Sequence, residues 1–192
     1  VLDSDGKRIF ESLVEYSSRY RNYIPLSFVL GFYVSIVMTR WWNQYQTIPF
    51  PNSIAVFVSS TIHGYDEVGR AMRRTIMRYV CLSLTIVFRA LSPSVSLRFP
   101  KMADLVDYGL LLENELAIFE DLERKFPAHS KSFLPIVWAA SIVTRARKEG
   151  RILDDFAVKT LIKALNKFRS QTAVLMTYHT ISIPLVYTLS LI

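Results

Sequence analysis

NYIPLSFVLGFYVSIVMTRWWNQY, residues 22–45, carries no formal charge between Asn22 and Arg40, yet Pro25, Ser27, Gly31 and Ser35 interrupt its apolar run. A helix with only lipid for a neighbour has no use for such residues. The roughly 17 uncharged positions from 23 to 39 stand at the lower limit for a spanning helix. Arg40, Trp41, Trp42 and Tyr45 follow at once, a cation beside amphipathic rings, as at a membrane interface. Buried packing is the other use for those rings, and anchoring is the reading adopted here.

Projected at about 100° per residue, Ile24, Phe28 and Phe32 fall near 0°, 40° and 80°, while Ser27, Gly31 and Ser35 fall near 300°, 340° and 20°. The two rows merge into one broad face. Small residues let neighbouring helices approach closely, and the Phe residues then fill a bundle core. Alternatively, several copies of the helix surround a pore and Ile24, Phe28 and Phe32 stack as apolar rings. Such a constriction gates by dewetting, and the positive edges of the Phe rings favour an anion over a cation. Spacing does not choose between the two.

Working outward, the 192 residues are 51% hydrophobic and 20% charged, a mixture that suits part membrane and part aqueous module. The chain starts at Val1 without an initiator Met or signal peptide, and is read as an internal piece of a longer protein. Residues 1–39 hold four basic and four acidic side chains, residues 171–192 hold none, and the whole excess of +7 lies in residues 40–170. A basic block between uncharged apolar segments suits a cytosolic module beside a membrane.

The pattern predicts an all-α chain. Residues 1–22 form an amphipathic helix near the membrane, 23–39 the pore or neck helix, 40–170 a basic helical cytosolic module, and 171–192 the start of a further membrane helix. TIPFPNS (47–53) is a proline-bearing break. Residues 66–91 form a long helix whose apolar run 79–88 is too short to cross a bilayer and is therefore buried. Residues 101–125 are amphipathic and acidic from 104 onward. Residues 135–148 form a helix closed by Gly150, and the helix from Asp154 to Arg169 opens with two acids in its first turn.

IPLSFVLGFYVSIVMTRWWNQY (24–45), RFP (98–100) and ISIPLVYT (181–188) closely resemble the bestrophin family, and GRAMRRTIMRY (69–79) and ALNKFRSQ (164–171) also look like family sequence. The family consists of calcium-activated anion channels, with Arg98, Phe99 and Pro100 standing as its signature triplet. The resemblance implies a homopentamer, multi-pass in the plasma membrane and embedded in the lipid bilayer, with chloride as permeant ion and calcium as activator. It places the pore neck at Ile24, Phe28 and Phe32, with the helix starting at the Ile24–Pro25 turn. It also places a second, cytosolic aperture at Phe156. The family's calcium clasp lies beyond its last membrane helix and near its N-terminus, outside this sequence, and no metal site is expected within these residues. Asp154, Asp155 and ENELAIFED (113–121) are no substitute, since calcium wants six to eight convergent oxygens.

Other chemistries find little support. His63, His129 and His179 are far apart and no HxxxH or CxxC spacing occurs, so each is read as a surface or structural histidine. Cys81 lies in an apolar run without a neighbouring base, and no catalytic motif appears, so an enzyme is not expected. Arg70, Arg73, Arg74 and Arg78 form a cationic helix face with three uses: a solvated face, nucleic-acid binding, which the membrane-like segments argue against, or concentration of anions in a vestibule. The alternative to a channel subunit is a non-conducting regulator that binds another membrane protein through this basic module. A membrane-anchored helical scaffold is a third reading.

Overall fold

The computed structural model describes residues 4–20, 26–127 and 129–183; Ile24 and Pro25 lie outside them. Among the described residues the chain is helical and has no strand, in the order α1 (Ser4–Tyr20), α2 (Leu26–Thr47), α3 (Asn52–Thr61), α4 (Glu67–Leu91), α5 (Pro93–Arg98), α6 (Asp104–Asp107), α7 (Glu113–Lys125), α8 (Leu134–Lys148) and α9 (Asp155–Thr180). Two compact units result, one of residues 1–46 with 181–192, the other of residues 47–180. Trp41 and Trp42 continue α2 without a break, and the uncharged residues 172–180 complete α9.

In the larger unit α4 touches α3, α5, α8 and α9. The reason is written in its spacing: Met72, Ile76 and Val80 recur every four residues on one face and are buried, the period that stacks side chains along a helix. Helix α8 answers with Ile136, Ala139, Val143 and Ala146, and α9 with Leu161, Leu165 and Phe168, all in the same core with Ile54 and Val58 of α3. The three-and-four spacing gives each helix one apolar seam, and Ala139 and Ala146, both fully buried, let the α8 backbone come close.

A second core gathers Leu82, Phe99, Leu105, Leu111 and Phe119. The apolar run 79–88 is thus buried within this unit as its length predicts, with Val80, Leu82, Ser83 and Val87 all sealed from solvent. Ser83 satisfies its hydroxyl by donating to the Ser132 carbonyl at 2.6 Å. The amphipathic stretch 101–125 holds two helices, α6 and α7, separated at Gly109, whose φ of 71° follows the first. Phe99 fills this core edge-on to Tyr108, with ring centroids 5.0 Å apart. Arg98 lies over both rings, and the Pro100 carbonyl accepts from Arg89 at 2.7 Å. The triplet is therefore a joint between α4, α5 and the α6 segment.

One ion pair fastens α7 to α4. Arg78 donates to both oxygens of Glu115 at 2.7 Å and to the Leu110 carbonyl at 2.8 Å. Tyr79 donates to Glu115 Oε1 at 2.7 Å, and the Leu112 amide to Oε2 at 2.9 Å. Burial alone would raise the Glu115 carboxyl, but these four donated bonds outweigh it and hold the group below its ordinary value. Burial pushes Tyr79 the other way, up to about 12, with the adjacent carboxylate adding to it.

Removing Glu115 leaves a mostly buried guanidinium without its counter-ion, so Glu115→Ala is expected to destabilise the fold by about 2–4 kcal/mol, and Glu115→Gln by less. Because the carboxyl is depressed in the fold, its stabilisation is complete above the ordinary glutamate value of 4.5 and is lost as pH falls through the lower folded value. Thermal unfolding from neutral to acid pH should accordingly show a shallower acid loss in Glu115→Gln than in the wild type.

Candidate functional site

Helix α2 is apolar on every side. Phe28 and Phe32 are 62% and 59% exposed, Leu30, Val34, Ile36 and Met38 are also exposed, and Val29, Tyr33 and Val37 are half-buried. A helix with no polar side is stable only when buried or in lipid. The Phe28 and Phe32 rings meet edge to face at 4.7 Å, so adjacent turns of one side form a continuous aromatic step. Gly31 and Ser35 are exposed, and nothing of this chain lies within 4 Å of a Cβ built at Gly31. Ser27 belongs to α2 by its backbone. Trp41, Trp42 and Tyr45 cluster at centroid distances of 5.7–6.2 Å, and Arg40 donates to the Ile181 carbonyl. Among the described residues no helix is long and apolar enough to cross a membrane: Arg40 and Asn43 enter α2 before the ~20 apolar residues of a typical span are complete.

The turn between α8 and α9 delivers Phe156, and it is built from charge. Gly150, at φ 72°, closes α8: its amide donates to the Arg147 carbonyl and the Arg151 amide to the Ala146 carbonyl. These paired bonds satisfy carbonyls that a helix end would otherwise orphan. Arg147 then reaches forward to Asp155 at 2.6 Å and to the carbonyls of Ile152 and Leu153 at 3.0 and 3.1 Å. Asp154 caps α9 by accepting from the Ala157 amide at 2.5 Å. Phe156 sits in the first turn, 77% exposed.

Arg151 ties that turn to the start of α4 through a two-pronged pair with Asp66 at 2.6 and 2.7 Å. The guanidinium hydrogen bond holds the Asp66 carboxyl at about 2, well under the ordinary 3.8. His63 donates its amide to the Arg151 carbonyl at 2.9 Å, and Arg73 donates to the carbonyls of Ile62 and Gly64. The four-arginine face expected on α4 is thereby reduced. Arg73 and Arg78 are spent inside the fold, and Arg70 and Arg74 stay exposed without an ion pair among the described residues.

Four of the acids are likewise engaged. Asp154 caps, Asp155 meets Arg147, Asp121 meets Lys125 and Glu123 meets Lys131. Among the described residues no group of three or more His, Cys, Asp or Glu comes together as a metal site. Cys81 is half-buried, and burial raises its thiol. A cavity of about 750 Å³ lies between the end of α4, α7 and the end of α9, with Arg89, Phe119, Glu123, His129 and Met176 among its walls. Lys159, Lys163 and Lys167 recur every four residues along α9, a spacing present in the sequence itself.

The whole chain, residues 1–192, matches the family model described as "Bestrophin, RFP-TM, chloride channel". It is 45% identical over 188 residues to "Bestrophin-2" of Mus musculus, covering 98% of this chain and 36% of that protein. Identity is 44% to "Bestrophin-3" and 40% to "Bestrophin-1" of Homo sapiens, again over 98% of this chain and over 28% and 32% of those proteins. The chain belongs to the bestrophin family, a family of anion channels. It spans about a third of the length of the curated relatives it matches.

Two glycines at left-handed φ separate backbone strain from crowding. A Cβ at Gly150 meets nothing within 4 Å, whereas one at Gly64 (φ 110°) meets Arg151 Nη1 and Asp66 Oδ1 at 2.6 Å each. Gly150→Ala should cost about 1 kcal/mol from backbone strain alone. That corresponds to a thermal midpoint roughly 2–4 °C lower for a chain of this size. Gly64→Ala should lower the midpoint further, because the added methyl also displaces the Asp66–Arg151 pair. Equal shifts in the two variants would contradict that arrangement.

Proposed function

We propose that this chain is the central part of a bestrophin-type channel subunit, working as a homopentamer, multi-pass in the plasma membrane, that passes chloride and similar anions when calcium is bound. The observation that carries this is α2, whose apolar side chains Phe28, Leu30, Phe32, Val34, Ile36 and Met38 stand exposed, joined to family membership over the full chain. Such a helix needs lipid on one flank, neighbouring helices on others and, in this reading, a narrow water-poor pore on the Phe28–Phe32 side. Gly31 and Ser35 offer neighbours a shallow surface, with Ser27 and Pro25 extending the row. Ile24, Phe28 and Phe32 form the neck. Five copies stack these side chains into apolar rings whose emptying of water blocks ions. Ring edges facing the axis favour a partly dehydrated anion. Phe156 forms the second, cytosolic aperture. Calcium would be held by parts of the parent subunit beyond these residues.

The non-conducting regulator gains less support. It would bind through the basic module of residues 40–170, and of the four arginines on that module's α4 face two are consumed internally. A planar bilayer holding the parent protein under a potassium chloride gradient tests the channel reading: the reversal potential should lie near that of chloride and the current should need calcium. Replacing Ile24, Phe28 and Phe32 by Ala should give current that persists without calcium. A triple variant that remains fully calcium-dependent removes the gate from this position.

A further inference from the structure

Helix α9 has one exposed face on which cations stand in a row. Lys159, Lys163 and Lys167 are each exposed, and none makes an ion pair or hydrogen bond among the described residues. After Asp155, which is occupied by Arg147, α9 contains no acidic residue. Like charges at i, i+4 destabilise a helix by about 0.2–0.5 kcal/mol per pair, so the row is a cost that local stability does not explain. At about 100° per residue the three lysines lie within about 60° of Phe156, and at about 1.5 Å per residue they cover the next ~16 Å of the same face. The opposite face, through Leu161, Leu165 and Phe168, is locked into the core, so α9 cannot turn the lysines away from the side that presents Phe156.

We propose that Lys159, Lys163 and Lys167 line the anion path beside Phe156 and concentrate the permeant anion there. This rests on the reading of Phe156 as the aperture. Whatever direction Phe156 faces, the lysines face it too, and in a pentamer the row is repeated around the axis. A conduit walled by one sign of charge raises the local counter-ion concentration, and the effect falls steeply with ionic strength. The exposed arginines of α4, Arg70 and Arg74, are fewer and belong to another helix. The row is therefore the larger source of field along the face of Phe156.

The test uses the full parent channel in planar bilayers, with chloride as the probe, in the wild type, in K159Q/K163Q/K167Q and in K159R/K163R/K167R. Salt is set at about 0.01 M and about 1 M, where the Debye lengths are about 30 Å and 3 Å. The Gln variant should carry several-fold less chloride from the cytosolic side at low salt, roughly two- to fivefold, and nearly wild-type current at high salt. The Arg variant should keep wild-type conductance at both. Wild-type current with an unchanged Gln variant at low salt overturns the proposal. So does a Gln variant reduced equally at both salts, which would mark a distorted pore. Unchanged conductance with lost binding to anionic-lipid vesicles would assign the row to a lipid surface instead, and also overturns it. A silent wild type, with pentamers verified by size, fails the channel reading itself and takes this inference with it.

Discussion

The Arg78–Glu115 pair is the constraint from which the larger unit is organised. Arg78 and Tyr79 sit on α4 at the boundary between the two cores, and Glu115 comes from the first turn of α7. One carboxylate accepts from a guanidinium, a phenol and the amide that begins its own helix. That last bond caps α7, so the side chain that docks the helix also starts it. Burying a charge is costly without full hydrogen bonding, and here every buried side-chain polar atom among the described residues has a partner. The network accordingly specifies one register of α7 on α4. Phe119, four residues on, is placed against Trp138 of α8 with ring centroids 5.6 Å apart.

Arginine does the same work at the other end of the unit. Arg147 and Arg151 stand four residues apart, on either side of the left-handed Gly150, and reach in different directions. Arg147 holds the carbonyls of the connecting turn, and Arg151 holds Asp66 before α4. The planar fork of a guanidinium suits such paired acceptors, which a lysine ammonium would not meet in the same way. Phe156 inherits a fixed starting point for α9 as a result.

The contrast between arginine and lysine also divides cations held inside the fold from cations left exposed. Arg73, Arg78, Arg147 and Arg151 are bound to carbonyls and carboxylates, whereas Lys159, Lys163 and Lys167 are left in water. Counting basic residues does not distinguish a cation that holds the fold from one that faces solvent. That is why the α4 arginines, which form a cationic face in the sequence, leave only Arg70 and Arg74 exposed.

The sequence by itself determined the helical class, the proline break before α3, the extents of α4 and α8, the Gly150 cap and the family, because periodicity, turn chemistry and motif order are local properties of the chain. It also marked residues 79–88 as buried by their length alone. Only the tertiary structure decided that 101–125 is two helices, that α2 and α9 run past their charge boundaries, and that Arg78 meets Glu115 across 37 residues. It alone joined Asp66 to Arg151 across 85. Those pairings depend on which helix faces pack together, and a side chain's partner across that distance is set by the fold of everything between.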